Sequence, residues 1–113
     1  MSFDQTVALD FSKLGGLAPV VLQHAVTREV LMVGFVDEEA WAKTLSTGVV
    51  TLFRRTLGRV QVKGEDDGSP PLHIQRIAVD CDSDTALLEI EPQTPVCHDG
   101  GVTCFSKPVA VRG

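Results

Sequence analysis

Val30-Leu31-Met32-Val33-Gly34-Phe35-Val36-Asp37-Glu38-Glu39-Ala40-Trp41-Ala42-Lys43-Thr44-Leu45-Ser46-Thr47-Gly48 changes its period at Asp37. Val30 to Val36 is almost wholly apolar and rich in branched side chains, the pattern of a strand buried on both faces. Asp37 is suited to cap a helix N-terminus, and Glu38 and Glu39 then fall in the first turn, where the helix dipole favours acids. Ala40, Trp41, Thr44 and Leu45 form an apolar stripe at helical spacing, and Gly48 is placed to close the helix. Trp41 and Leu45 are expected in the core rather than in a ligand site. A strand running straight into one short helix, with strand-like segments on both sides, decides the fold class.

Upstream, Leu17 to Ala25 reads as a strand joined to Val30–Val36 by a turn at Val26-Thr27-Arg28-Glu29. Gly15-Gly16 separates it from a weakly patterned lead-in, which could be a strand, a short helix or a frayed arm. Downstream, Val49 to Arg54 and Arg59 to Lys63 read as a hairpin about Gly58. Gly64 to Pro71 is a loop, with two glycines, two prolines and three acids. Leu72 to Val79 and Ala86 to Ile90 are strands, and Pro92 and Pro95 break the chain before Cys97. About six strands and one helix make an α+β fold: a single small domain over 1–113 with a mainly antiparallel sheet. Within it, 1–16 is the lead-in, 17–105 the core and 106–113 a loose tail.

The 113 residues are 43% hydrophobic and carry a formal net charge of −5. That suffices for a small core, which metal binding or dimerisation would help to stabilise. An acidic balance argues against binding a nucleic-acid backbone, which needs a basic face, but leaves room for one phosphate pocket. No apolar run approaches the roughly 18 residues of a membrane span. Met1-Ser2-Phe3-Asp4-Gln5 has no basic stretch followed by an apolar one, so no signal peptide is expected. Three cysteines are an odd number for a disulfide framework. A cytoplasmic location follows, where reduced thiols serve metals or catalysis, unless they are simply small buried hydrophobes.

The chemistry concentrates in Asp80-Cys81-Asp82-Ser83-Asp84. In an extended strand the three aspartates would share one face and Cys81 would take the other. The acids suit Mg²⁺ or a similar hard cation. The plainer reading is a turn, which Asp and Ser also favour; mutual repulsion of three carboxylates tips the choice toward a cation site. Cys81, Cys97 and Cys104, spaced C-x15-C-x6-C, could give Zn²⁺ three thiolates and one open position for water. His98, next to Cys97, is better placed as a general acid or base than as a fourth ligand. Arg54, Arg55, Arg59 and Lys63 are the only basic concentration. Arg55, Arg59 and Lys63 are candidate phosphate grips, or else a solvated strand face. His24 and His73 read as structural.

Together these stretches resemble the phosphoribosyl-AMP cyclohydrolase family of histidine biosynthesis. Asp80-Cys81-Asp82-Ser83-Asp84-Thr85 matches D-C-D-x-D-[TA], Cys97-His98-Asp99-Gly100 matches C-H-x-G, and Thr103-Cys104-Phe105 matches [ST]-C-F. Leu17 to Gln23, Val30-Leu31-Met32, Thr47-Gly48, Arg55-Thr56 and Lys63-Gly64-Glu65 match weaker elements in the right order. Departures are Arg54 for a usual Ser, Gln61 for a common Trp, and Glu65-Asp66-Asp67-Gly68 for E-T-S-G. Gln23-His24 and Gly34-Phe35-Val36-Asp37 also differ. They bear on substrate contacts more than on metals.

The resemblance implies hydrolytic opening of the adenine ring of N1-(5-phosphoribosyl)-AMP. It implies Zn²⁺ on Cys81, Cys97 and Cys104, Mg²⁺ on Asp80, Asp82 and Asp84, and His98 close to the chemistry. It further implies an intertwined homodimer sharing its zinc sites, with Cys81 from one chain and the other two cysteines from its partner. Alkylation at N1 makes C6 electrophilic; water made nucleophilic at zinc would add there, and His98 would shuttle the proton that releases the N1–C6 bond. Arg55, Arg59 and Lys63 would hold phosphate. Three alternatives remain: a paralogue acting on another purine nucleotide, a non-catalytic zinc-binding dimer module, and one half of a bifunctional enzyme whose fused pyrophosphohydrolase domain this chain is too short to include.

Overall fold

The structure, a computed structural model, describes residues 2–66, 68–92 and 102–113. Six strands and one helix follow in the order β1 (Ala18–His24), β2 (Val30–Val36), α1 (Glu38–Thr47), β3 (Thr51–Arg54), β4 (Arg59–Val62), β5 (Ile74–Val79) and β6 (Ala86–Ile90). β1 to β2 and β5 to β6 are antiparallel hairpins. β1 and β6 pair in parallel, which joins the hairpins into one four-stranded sheet of order β2-β1-β6-β5. β3 and β4 form a separate antiparallel pair. The fold is α+β with a mainly antiparallel sheet.

The helix begins and ends where its caps dictate. The Asp37 carboxylate accepts from Ala40 N at 2.8 Å, and Gly48, at φ 71°, donates its N–H to Thr44 O at 3.0 Å. Thr44, buried, donates its hydroxyl to Thr51 O (3.0 Å) and accepts from Thr51 N (3.2 Å), tying α1 to β3. One sheet face, carrying Ala18, Val20, Leu22, Ala86, Leu88 and Ile90, packs with Ala40, Trp41, Leu45, Val50 and Leu52 into the core.

The lead-in is irregular yet anchored. Phe3 N donates to Leu45 O at 2.7 Å, the Trp41 indole donates to Val7 O at 2.9 Å, and Leu9 is buried in the core. Phe3 and Val7 thus tie the lead-in to the helix, although residues 2–14 form no strand or helix. The expectation that β2 is buried on both faces is corrected: Val30 and Val33 are 41% and 45% exposed. β2 is the edge of the sheet, and an apolar run does not tell whether its second face is covered by its own chain. On that same uncovered face, Val21, Ala78 and Leu87 line a shallow groove of about 280 Å³.

His24 has the structural role expected of it. Its Nδ1 accepts from Val26 N (3.1 Å) and Thr27 N (3.0 Å) in the β1–β2 turn. Glu89, buried on β6, is held by Arg28 at 2.8 Å and by Arg76. These arginines, Arg76 foremost, keep its carboxyl below the usual glutamate range. No helix among the described residues is long and apolar enough to cross a membrane.

Candidate functional site

β5 and β6 hand the chain to each other through Asp80-Cys81-Asp82-Ser83-Asp84-Thr85, and hydrogen bonds across this hexapeptide shape it as a tight turn. Asp80 N donates to Thr85 O (2.9 Å), Ser83 N to Asp80 O (3.0 Å), and the Asp80 carboxylate accepts from Asp84 N (2.9 Å) and Thr85 N (3.1 Å). Ser83 takes a left-handed conformation at φ 61°. The extended geometry considered from sequence does not occur here. Turn closure, rather than strand alternation, collects the aspartates: one carboxylate oxygen from each of Asp80, Asp82 and Asp84 lies within 4.8 Å of the others. The turn and the acid cluster are one and the same object.

Lys13 completes the cluster. Its ammonium lies 2.9 Å from Asp84 Oδ2 and 3.2 Å from Asp82 Oδ2. The lead-in is pinned to the same turn, since Asp10 N donates to Ser83 O at 2.7 Å, and Asp10 Oδ1 accepts from Ser12 N at 2.8 Å. Lys13 is held above the ordinary lysine range, by Asp84 first and Asp82 second. Asp84 is pushed well below the carboxylate range, chiefly by Lys13. Asp80 moves the other way: desolvation in the turn raises it, against the backbone N–H groups it accepts from. Neither Lys13 nor Asp10 carries a local signal of this role, because the pairing spans about seventy residues of chain.

This donor set fits a hard divalent cation. Octahedral Mg²⁺ asks for oxygens about 3 to 4 Å apart, and the three carboxylate oxygens lie within 4.8 Å of one another. Cys81, on the same turn, is exposed. Cys104 is also exposed, but it lies against β2, with its N–H on Leu31 O at 2.7 Å. Thr103 supports that docking through its hydroxyl, which donates to Val30 O at 2.7 Å. In the sheet order, β2 is the edge opposite β5, and Leu31 lies toward the far end from the turn. Two to three strand spacings, roughly 10–14 Å, therefore separate β2, on which Cys104 docks, from the turn that carries Cys81, with a further offset along the strands. Sulfurs sharing a tetrahedral zinc lie only about 4 Å apart. Cys97 and His98 fall outside the described residues.

The candidate phosphate grips are spread out. Arg55, in the turn after β3, lays its guanidinium over the Phe35 ring, 4.0 Å from the centroid. Phe35 pairs with Pro19, level with the start of β6, so Arg55 shares the end of the sheet that carries the acidic turn. Arg59 opens β4 while Lys63 follows its other end, about 13 Å away along the strand. Arg59 and Lys63 do not form one compact grip.

The departures from the resembled pattern prove to be neighbours. Arg54 Nη1 donates to Gln61 Oε1 at 2.8 Å and lies 3.4 Å from Asp66 Oδ2. An arginine where Ser is usual and a glutamine where Trp is common thus satisfy each other, with Asp66 as counter-ion; Asp67 lies outside the described residues. Gln61 is buried, and its Nε2 has no protein partner among the described residues. Arg54→Ala and Gln61→Ala are expected to be non-additive by about 0.5–1 kcal/mol in a double-mutant cycle read by urea unfolding. Strict additivity would mean that the contact carries no energy.

Comparison with known proteins agrees with this geometry. The family model for phosphoribosyl-AMP cyclohydrolase matches residues 32–106. Three relatives share the name histidine biosynthesis bifunctional protein HisIE. The one from Bacteroides thetaiotaomicron is 48% identical over 99 residues, covering 88% of this chain and 48% of the relative. The one from Staphylococcus epidermidis is 46% identical over 104 residues, 92% of this chain and 48% of the relative. The one from Escherichia coli K12 is 50% identical over 97 residues, 86% of this chain and 47% of the relative. The chain spans about half the length of the curated relatives it matches. With the family model covering most of its length and the acidic turn of Asp80 to Asp84 inside the matched region, the chain belongs to the phosphoribosyl-AMP cyclohydrolase family.

Proposed function

We propose that this chain hydrolyses the N1–C6 bond of the adenine ring of N1-(5-phosphoribosyl)-AMP, as a zinc- and magnesium-dependent cytoplasmic enzyme of histidine biosynthesis. The observation that carries the reading is the β5–β6 turn, where three carboxylates gather within 4.8 Å beside an exposed cysteine. Zinc, held by Cys81, Cys97 and Cys104, would supply a water that loses its proton near neutral pH. Asp80, Asp82 and Asp84 hold the second cation. His98 moves the proton that lets N1 leave C6. Arg55 is the grip best situated for a substrate phosphate, at the same end of the sheet as the acidic turn; Arg59 and Lys63 would meet other parts of the nucleotide. Residues 17–105 form the catalytic unit.

The working enzyme is a homodimer with shared zinc sites. The separation of Cys81 from Cys104 supports this, since a partner's Cys97 and Cys104 can meet Cys81 where the same chain's Cys104 does not. The uncovered apolar sheet face around Val21, Val33 and Leu87 supports it too, as a surface that a second copy would bury.

The test is the absorbance change on adding phosphoribosyl-AMP to protein loaded with Zn²⁺ and Mg²⁺. Turnover to the ring-opened imidazole carboxamide is expected, and a chelator should remove it. Stoichiometric zinc without turnover would overturn the activity and leave a zinc-binding module.

A further inference from the structure

Lys13 is the one basic side chain in the first sixteen residues, and its ammonium pairs with two of the three acids of the turn. It touches Asp84 at 2.9 Å and Asp82 at 3.2 Å. The contact is built, because the Asp10 N–H on Ser83 O and the Ser12 N–H on Asp10 hold the lead-in against the turn. Two carboxylates that face an ammonium cannot also give both their oxygens to a divalent ion at full strength. We propose that Lys13 is a tethered competitor for the divalent cation: it neutralises Asp82 and Asp84 while the metal is absent and leaves them when the metal binds. This rests on the reading of the turn as a cation site.

Two consequences follow. Metal-free protein is spared the mutual repulsion of three clustered acids, and cation affinity is set lower than the donor set alone would give. The contacts are partly exposed, with the Lys13 side chain 49% accessible, so the competition is modest rather than prohibitive. Lys13 also lines a cleft of about 240 Å³ with Asp10, Leu14, Leu17, Pro19, Asp84 and Thr85.

The experiment is a Mn²⁺ titration of the zinc-loaded 113-residue chain, following loss of the free-ion electron paramagnetic resonance signal. Wild type, Lys13→Met, Lys13→Arg and Asp82→Asn are compared. Lys13→Met keeps the length of the side chain and removes its charge; it is expected to bind Mn²⁺ about tenfold more tightly. Lys13→Arg should stay within about threefold of wild type, because it keeps the charge. Asp82→Asn should weaken binding, which assigns the titrated site to the turn. Equal or weaker binding by Lys13→Met overturns the competitor role alone, as does tight binding by Lys13→Arg. Absence of Mn²⁺ binding in both wild type and Lys13→Met, or binding indifferent to Asp82→Asn, overturns the cation site itself and the competitor with it.

Discussion

Refolded together in equal amounts, the Cys81→Ser and Cys104→Ser proteins are expected to recover about a quarter of wild-type turnover, although each alone has none. The expectation comes from the placement of the two thiols. Cys81 is on the β5–β6 turn, and Cys104 docks on Leu31 at the opposite edge of the sheet. If each zinc takes Cys81 from one chain and Cys104 from the other, each homodimer of either variant lacks a ligand at both sites. A mixed dimer collects both defects in one site and leaves the other intact. Random assortment makes half the dimers mixed, and half the sites in those are whole, so about a quarter of all sites work. Zinc content should follow the same proportion. Mixed dimers isolated with two different tags, yet inactive and without zinc, would show that each chain builds its site alone.

Trp41→Ala is expected to cost about 3–5 kcal/mol of stability, a large part of what a small protein has. Trp41 is only 4% exposed, and its indole N–H is the donor to Val7 O at 2.9 Å. The loss therefore combines a cavity beneath the sheet with release of the lead-in from the helix. Trp41→Phe separates the two parts, because it keeps most of the volume and removes only the hydrogen bond, for about 1 kcal/mol. Urea unfolding of both variants measures the difference. A Trp41→Ala cost near that of Trp41→Phe would mean that the buried ring contributes little beyond its hydrogen bond. Since the lead-in carries Lys13, its release should also weaken the ion pairs at the acidic turn.

Asp37, Gly48 and the stripe Ala40, Trp41, Thr44 and Leu45 could be read from sequence because a helix of ten residues is governed by local rules. Caps and a 3.6-residue period need only neighbours a few positions away. Hairpins β1–β2 and β3–β4 were legible for the same reason: a turn and its flanking runs are close in the chain. The clustering of Asp80, Asp82 and Asp84 was foreshadowed by residue type, while the geometry that gathers them was not. An extended stretch would have aligned the acids on one face, and the turn gathers them by another route. Gly34 shows what local pattern omits. A side chain there would come within 3.1 Å of Leu52, a contact between β2 and β3 that no period announces.

By itself, then, the sequence determined the elements, the helix limits and where the carboxylates and thiols concentrate, because these depend on short-range preferences and residue type. Tertiary structure alone decided the parallel pairing of β1 with β6, the salt bridges of Lys13 to Asp82 and Asp84, the meeting of Arg54 with Gln61 and Asp66, and the placement of Cys81 on the β5–β6 turn and Cys104 against β2 at the other side of the sheet. Each of these except the Arg54–Gln61 contact joins positions a dozen or more residues apart. Such contacts are chosen by how the whole core closes, and no window of neighbouring residues holds that information.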